Sequence, residues 1–139
     1  MKVPIIDASF ALKWFFPEEN SEIARSFLSE KNRFVVPDLF WIETSNIISK
    51  KVRKRELSIN EAERIIQILE SMTFVTVAFD KIKEEAFFIS TRFSITLYDA
   101  CYLAVAVNYE GNLFTADVRM SNGIKKTAYK EFVTSINDL

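Results

Sequence analysis

Short apolar runs alternate with longer amphipathic segments along this chain of 139 residues. Runs of this length, separated by helical patterns, are typical of strands that are buried on both faces of a parallel sheet. Strands are predicted at residues 3–6, 33–36, 74–77 and 113–115, with a fifth, edge strand at 132–133. The chain is therefore predicted to be an α/β protein with three layers, in which helices cover a mostly parallel, four- to five-stranded central sheet.

Helices are predicted between these strands from apolar spacing, caps and breakers. Ser58 and Glu61, three residues apart, form a capping box at the start of one helix. Asp80 is predicted to cap another, and Pro17 to end the first. The predicted helices span residues 8–14, 20–29, 38–55, 80–92 and 96–109, with further helices starting at 58 and after 117. No linker-like segment interrupts this pattern, so residues 1–139 are predicted to form a single domain.

The composition excludes most common enzyme designs. The chain has no His, which excludes Ser-His-Asp triads and ordinary zinc sites. It has only two Gly, which excludes the Gly-rich phosphate loops. The net charge is −1, so binding of nucleic acid would depend on a local basic patch. Carboxylates remain as the candidate catalytic groups.

The same features indicate the compartment. The lone Cys101 excludes an internal disulfide, and the apolar run before Asp7 is too short for a signal peptide. No uncharged stretch approaches the roughly 20 residues that a membrane span needs. We therefore expect a soluble, cytoplasmic protein.

Two acidic residues follow predicted strands. Asp7 comes directly after the first strand, and Asp117 lies two residues after Thr115 in the fourth. In parallel α/β sheets, ligands bind beyond the carboxyl ends of the strands, where the strand order reverses. The alternative is that each of these residues only caps the N-terminus of a helix.

Two further acids lie on predicted helices. Asp99 closes a capping box with Thr96, directly before an apolar run. Glu43 shares the apolar face of its helix with Phe40 and Ile47, where a carboxylate is costly unless it is paired or binds a metal. The alternative for Glu43 is a side chain turned aside to solvent.

A group of carboxylates has a specific chemical consequence. Neighbouring carboxylates repel one another unless a cation neutralises them. Ligands that are all oxygen favour Mg²⁺ or Mn²⁺. Such an ion lowers the pKa of a bound water and stabilises an in-line phosphoryl displacement. If the four acids converge, they predict metal-assisted hydrolysis of a phosphodiester.

Four motifs of the chain resemble those of the PIN domain family, and especially of the VapC-type toxins of prokaryotic toxin–antitoxin pairs. The resemblance covers essentially the whole chain, which would make it a single PIN-like nuclease domain. The motifs are Ile5-Ile6-Asp7-Ala8-Ser9 with Leu12, Trp14 and Pro17-Glu18, then Leu39-Phe40-Trp41-Ile42-Glu43, Leu97-Tyr98-Asp99-Ala100-Cys101-Tyr102-Leu103-Ala104, and Leu113-Phe114-Thr115-Ala116-Asp117.

The resemblance implies an endoribonuclease that depends on Mg²⁺ or Mn²⁺ and leaves a 5′-phosphate and a 3′-hydroxyl. Asp7 would be the central metal ligand, and Asp99 and Asp117 would complete the shell. Glu43 would place a second metal ion or orient the attacking water. The resemblance also implies a homodimer and a cognate antitoxin whose C-terminal segment blocks the site. Ser9 and Thr115 match the polar positions that support the acidic residues.

Two groups of basic residues are candidate contacts for RNA. One group follows Asp117, and the other ends the helix that begins at residue 38. Their members are Arg119, Lys125, Lys126 and Lys130 in the first, and Lys50, Lys51, Arg53, Lys54 and Arg55 in the second. The second group has an alternative as a solvated helix end whose cations complement the helix dipole.

The aromatic run Trp14-Phe15-Phe16 cannot all face one stripe of a helix. By the resemblance, this run is a candidate for the groove that takes an amphipathic antitoxin segment. The alternative is core packing.

Other functions of the same fold class remain. A non-catalytic interaction module and a PIN nuclease of ordinary RNA processing are the main alternatives. A haloacid-dehalogenase-type phosphatase would need an Asp where Ser9 stands. A receiver domain could use Asp80, but the paired acid at the first strand is missing.

Overall fold

The structure, a computed structural model, describes residues 2–29 and 33–139. Its centre is a five-stranded sheet in the order β3-β2-β1-β4-β5, and every neighbouring pair is parallel. Ile5 and Ile6 in the central strand are fully buried, so both faces of the sheet are covered. The α/β prediction is confirmed, and the fifth strand lies at an edge as predicted. The strands are β1 (Pro4–Ile6), β2 (Phe34–Pro37), β3 (Phe74–Val77), β4 (Asn112–Thr115) and β5 (Val133–Ser135).

Helices connect the strands and cover the sheet. The capping box predicted at Ser58 is present, with the Glu61 backbone N–H donating to the Ser58 hydroxyl and the Ser58 N–H to the Glu61 carboxylate. None of the helices in residues 2–29 and 33–139 is long and apolar enough to cross a membrane. The α-helices are α1 (Ala8–Leu12), α2 (Ser21–Arg25), α3 (Leu39–Arg53), α4 (Ile59–Ser71), α5 (Lys83–Arg92), α6 (Leu97–Asn108) and α7 (Val118–Ile124).

The first two helices are shorter than predicted. After Leu12 the backbone tightens into i→i+3 hydrogen bonds, so α1 ends before the predicted residue 14. The same tightening occurs after Arg25, where the Phe27 N–H donates to the Ala24 carbonyl, so α2 ends before the predicted residue 29. Such 3₁₀-type turns are a common way to satisfy the last carbonyls of a helix.

The prediction that Asp80 caps a helix was wrong. Asp80 lies in a 3₁₀ turn, Phe79–Lys81, and its carboxylate pairs with the Lys83 ammonium at 2.7 Å. The turn is held by a tertiary contact, because the Asp38 carboxylate accepts a hydrogen bond of 3.1 Å from the Phe79 N–H. Asp38 thus stabilises the turn between β3 and α5, and its side chain does not cap α3.

The strand order reverses at β1. The chain adds β2 and β3 on one side of β1 and returns to add β4 and β5 on the other. The register pairs Ile6 with Phe114, so Asp7 and Thr115 emerge side by side at the carboxyl edge of the sheet. α6 packs against these central strands, with Ala100–Ala106 entirely buried. The fold therefore creates the crevice at which α/β proteins bind ligands.

Candidate active site

A cleft of about 300 Å³ opens beyond the carboxyl ends of β1 and β4. All four acidic residues predicted from the sequence line it, and they come from four different elements. Exposed Ser9 also lines the cleft, while Thr115 lies buried behind it. The acidic residues are Asp7 after β1, Glu43 on α3, Asp99 on α6 and Asp117 after β4.

Asp7 is the most constrained of the four carboxylates and is only 7% exposed. Its Oδ1 accepts hydrogen bonds from the Ser9 hydroxyl at 2.8 Å and the Phe10 N–H at 2.9 Å, and its Oδ2 accepts one from the Thr115 hydroxyl. Burial raises the pKa of Asp7 to about 6, although these hydrogen bonds act to lower it. Asp7 therefore caps α1 and also faces the cleft, so the cap and the site are compatible.

Thr115 connects two of the carboxylates. Its hydroxyl donates to Asp7 and accepts the Asp117 backbone N–H at 2.9 Å. Asp117 in turn caps α7, since its Oδ1 accepts from the Arg119 and Met120 N–H groups at 3.0 and 3.2 Å. The position of Asp117 relative to Asp7 is thus held by one buried hydroxyl.

Asp99 lies half-buried in the first turn of α6. Its backbone N–H donates to the Thr96 hydroxyl at 3.1 Å, which is one of the two hydrogen bonds of the predicted capping box. Burial raises the pKa of Asp99 to about 6, and the nearby negative charges of Asp117 and Glu43 add to the shift. The Arg119 guanidinium acts in the opposite direction. The carboxylates are therefore close enough to repel one another.

Glu43 reaches the cleft from α3. It is half-buried, and burial raises the pKa of its carboxyl, with the charge of Asp117 adding to the shift. The Tyr102 hydroxyl donates to Glu43 Oε1 at 2.5 Å and lowers the pKa. The sequence analysis did not single out Tyr102 as a site residue. Its one signal is its place three residues after Asp99, on the same side of α6.

The donor chemistry of the cleft suits a hard divalent cation, because the ionisable groups that line it are carboxylates with one buried phenol. Among the described residues, none of the three ion pairs includes any of the four carboxylates. In those same ranges, no three His, Cys, Asp or Glu side chains stand close enough together to hold one ion. An ion here would take a subset of the carboxylates and keep several waters, as Mg²⁺ commonly does.

The basic residues differ in their relation to the cleft. Exposed Arg119 lies in the first turn of α7 and lines a pocket of about 270 Å³ that shares Asp99 with the cleft. Lys50 lies seven residues after Glu43 on α3 and therefore shares its face of the helix. Lys51 lies over the ring of Phe16, with its ammonium 4.4 Å from the centre of that ring.

The other candidate cations lie farther along their elements. Lys125 and Lys126 are exposed after the end of α7, and Lys130 is exposed in the turn before β5. Arg53 donates to the Ser49 hydroxyl at 2.7 Å. Arg119 is thus the candidate cation that the fold brings beside the carboxylates.

Trp14 belongs to the core. It is buried, its indole N–H donates to the Ala24 carbonyl at 2.8 Å, and its ring lies 5.3 Å from that of Phe34. Phe15 and Phe16 are half-buried at the border of the core. The surface part of the aromatic run is therefore limited to these two rings.

The sequence and the fold of this chain are similar to those of known proteins. The family model described as PIN domain matches residues 5–125. A ribonuclease named VapC3 from Pyrobaculum aerophilum is 29% identical over 119 residues, which is 84% of this chain and 91% of that protein.

Two solved structures share the fold. A toxin–antitoxin complex from Klebsiella pneumoniae aligns with a TM-score of 0.69 at 16% identity, over 98% of this chain and 99% of the other. VapC20 from Mycobacterium tuberculosis, described as a toxin that cleaves the sarcin–ricin loop, aligns with a TM-score of 0.65 at 16% identity, over 86% and 93%. The family resemblance of the four motifs is confirmed, and the chain belongs to the PIN domain family.

Proposed function

We propose that this protein is an endoribonuclease that uses Mg²⁺ or Mn²⁺ at the carboxylate cleft, and that it is the toxin of a VapBC-type toxin–antitoxin pair. The main support for the proposal is that four carboxylates, from four different elements, line one cleft beside Arg119. The similarity to the ribonuclease VapC3 supports RNA as the substrate. The unpaired Cys101 supports a reducing, cytoplasmic setting.

Asp7 is proposed as the central metal ligand, because both of its oxygens are already oriented by hydrogen bonds. Asp99 and Asp117 complete the ligand set, at least one of them through water. The raised pKa values of Asp7 and Asp99 fit this role, since a cation supplies the positive charge that these carboxyl groups otherwise obtain from protons. A bound divalent cation neutralises the phosphate and makes a water easier to deprotonate.

Glu43 is proposed to orient the attacking water or to hold a second ion. The water oxygen bonds to phosphorus and gives up a proton to solvent, the bond from phosphorus to O3′ breaks, and O3′ takes a proton from solvent and leaves as a hydroxyl. The products are a 5′-phosphate and a 3′-hydroxyl. Arg119 binds a phosphate of the RNA, with Lys50, Lys51, Arg53, Lys125 and Lys126 as more distant contacts.

An antitoxin chain and a second copy of the protein are the proposed partners. The solved toxin–antitoxin complex with this fold supports the first. For the second, α5 carries the exposed side chains of Phe87 and Phe88 beside a pocket of about 610 Å³. Glu84, Phe88 and Arg92 lie four residues apart on one stripe of α5. If α5 packs antiparallel to its copy about Phe88, each Glu84 faces the partner's Arg92, which makes the surface complementary to itself.

The ends of the RNA products test the proposal. Purified protein, free of antitoxin, is incubated with total RNA and Mn²⁺, and the new termini are identified enzymatically. We expect 5′-phosphate and 3′-hydroxyl ends, and we expect Glu43→Gln and Asp99→Asn to form few of them. Ends with a 2′,3′-cyclic phosphate would instead mean that the RNA 2′-hydroxyl is the nucleophile. Folded protein that forms no new ends would favour the non-catalytic interaction module.

Toxicity is tested separately from cleavage. Expression of the wild-type chain alone should arrest growth of a bacterial host, whereas Asp7→Asn should not. An active nuclease whose expression leaves growth unchanged would favour a role in ordinary RNA processing.

A further inference from the structure

Tyr102 combines a buried ring with a hydroxyl that reaches the cleft. The residue is 2% exposed and lies among the wholly buried residues of α6, yet it also lines the carboxylate cleft. The pKa of an unperturbed tyrosine phenol is about 10, so its hydroxyl is protonated at neutral pH and can donate one hydrogen bond. The acceptor of that one hydrogen bond therefore decides what the hydroxyl can stabilise.

The Tyr102 hydroxyl connects two elements of the structure. From α6 it donates to Glu43 Oε1 on α3 at 2.5 Å. Asp99 precedes Tyr102 by one turn of α6, and Ala8, the residue after Asp7, lines the same cleft. The hydroxyl thus ties the Glu43 carboxylate to the helix that carries Asp99, beside the segment that carries Asp7.

We propose that Tyr102 is a positioning residue that holds the Glu43 carboxylate at a fixed place relative to Asp7 and Asp99. This inference rests on the proposed nuclease function. It assigns to Tyr102 the restraint of the Glu43 side chain, which the four acidic residues do not provide by themselves.

Glu43 needs such a restraint more than Asp7 and Asp117 do. Asp7 and Asp117 have short side chains, and each accepts backbone N–H groups at the start of a helix. Glu43 lies within α3 and has a longer side chain with three rotatable bonds. Among the described residues, the Tyr102 hydroxyl is the one hydrogen-bond donor found on its carboxylate.

The ring of Tyr102 is suited to this task. Because the ring is enclosed in the core, the hydroxyl cannot follow Glu43 if that side chain rotates away. A hydrogen bond from a hydroxyl to a carboxylate is short and about twice as strong as one between neutral groups. Glu43 Oε1 is therefore held, and Oε2 remains for a water or a metal ion.

The test is a double-mutant cycle between Tyr102→Phe and Glu43→Gln. Phe keeps the ring in the core and removes only the hydroxyl. A misplacement of about 1 Å at a reacting group can cost about 100-fold in rate, so kcat for RNA cleavage should fall about 10- to 100-fold in Tyr102→Phe. KM should change by less than about threefold, since no RNA contact is removed. In the Glu43→Gln background, Tyr102→Phe should lower kcat by less than about twofold further.

Two controls separate positioning from damage to the fold or to the metal site. Tyr109→Phe removes a partly exposed hydroxyl at the other end of α6 and should retain wild-type rates. Mn²⁺ binding by calorimetry, without RNA, should change by less than about threefold in Tyr102→Phe, because the bonds that hold Asp7 are intact. Thermal melts establish that each variant is folded.

The outcomes are distinct. Active wild type with an equally active Tyr102→Phe would overturn this inference and leave the proposed function standing. So would a loss of kcat that is as large in the Glu43→Gln background as in wild type. A loss of Mn²⁺ binding as severe as in Asp7→Asn would also overturn this inference, because Tyr102 would then support the whole site and not Glu43 in particular. Wild-type protein that cleaves no RNA would overturn the proposed function and this inference with it.

Discussion

Replacing Asp7 with Asn should make the metal-free protein more stable at neutral pH. The side chains have the same shape, and the Asn carbonyl can still accept the Ser9 hydroxyl and the Phe10 N–H. The amide group then faces Thr115 Oγ1, which can reverse its role and accept. The substitution therefore removes a buried charge, and its cost is the acceptor that Asp7 provides for the Thr115 hydroxyl proton.

The size of the effect follows from the pKa of Asp7, which burial raises from 3.8 to about 6. A shift of about two units at 1.36 kcal/mol each corresponds to about 3 kcal/mol. For a carboxyl group whose folded-state pKa is raised, the stabilising contribution is fully present below pH 4 and is lost as the pH rises through about 6. Asp7→Asn lacks this dependence, so it should gain about 3 kcal/mol relative to wild type between pH 4 and pH 8.

Urea unfolding in a chelator, measured at several values between pH 4 and pH 8, tests this prediction. Asp138→Asn, at an exposed residue of the last turn, is the matched control and should follow the same pH dependence as wild type. A difference between Asp7→Asn and wild type that stays constant across this range would refute the reasoning, since Asp7 would then titrate normally. Added Mn²⁺ should reverse the order, because ion at 1,000 times its Kd stabilises wild type by about 4.1 kcal/mol.

Three further substitutions test the buried hydrogen bond of Thr115, the proposed RNA contact of Arg119 and the proposed dimer surface on α5. Thr115→Val should lower the free energy of unfolding by about 1 to 3 kcal/mol in urea melts, because the Asp117 N–H loses its buried acceptor; no loss would mean that this link is dispensable. Arg119→Ala should weaken binding of RNA to the Asp7→Asn protein and lower the salt slope by about one, as expected for a phosphate contact; an unchanged slope would exclude that contact. Phe87→Asp should convert a dimer into a monomer in light scattering, since Phe87 is 65% exposed and its loss leaves the core intact; a dimer that persists would exclude the α5 surface.

The parts of the fold that local sequence patterns encode are predictable. β1 and β2 are almost continuous apolar runs because both faces of the sheet are covered, and that pattern is visible without a structure. The capping box at Ser58 is likewise a local signal. Asp80 shows the limit of such signals, because a distant contact from Asp38 converts its surroundings into a turn.

The residues of the candidate site also differ in how well the sequence alone predicts them. Asp7 and Asp117 are conspicuous because each lies within two residues of the end of a strand, and Glu43 because it interrupts an apolar helix face. Tyr102 is not, since an aromatic residue in an apolar helix has the pattern of an ordinary core residue. Its role depends on how α3 and α6 lie relative to each other across the cleft, which no periodicity within either helix encodes.

The rate of RNA cleavage as a function of Mn²⁺ concentration, for wild type, Asp7→Asn and Asp138→Asn, tests directly whether the carboxylate cleft is a metal-dependent nuclease site. We expect that wild type and Asp138→Asn cleave with a saturable dependence on the ion, that chelator abolishes the activity, and that folded Asp7→Asn is inactive at every concentration. Cleavage by Asp7→Asn at the wild-type rate, or cleavage by wild type that persists in chelator, would contradict this expectation.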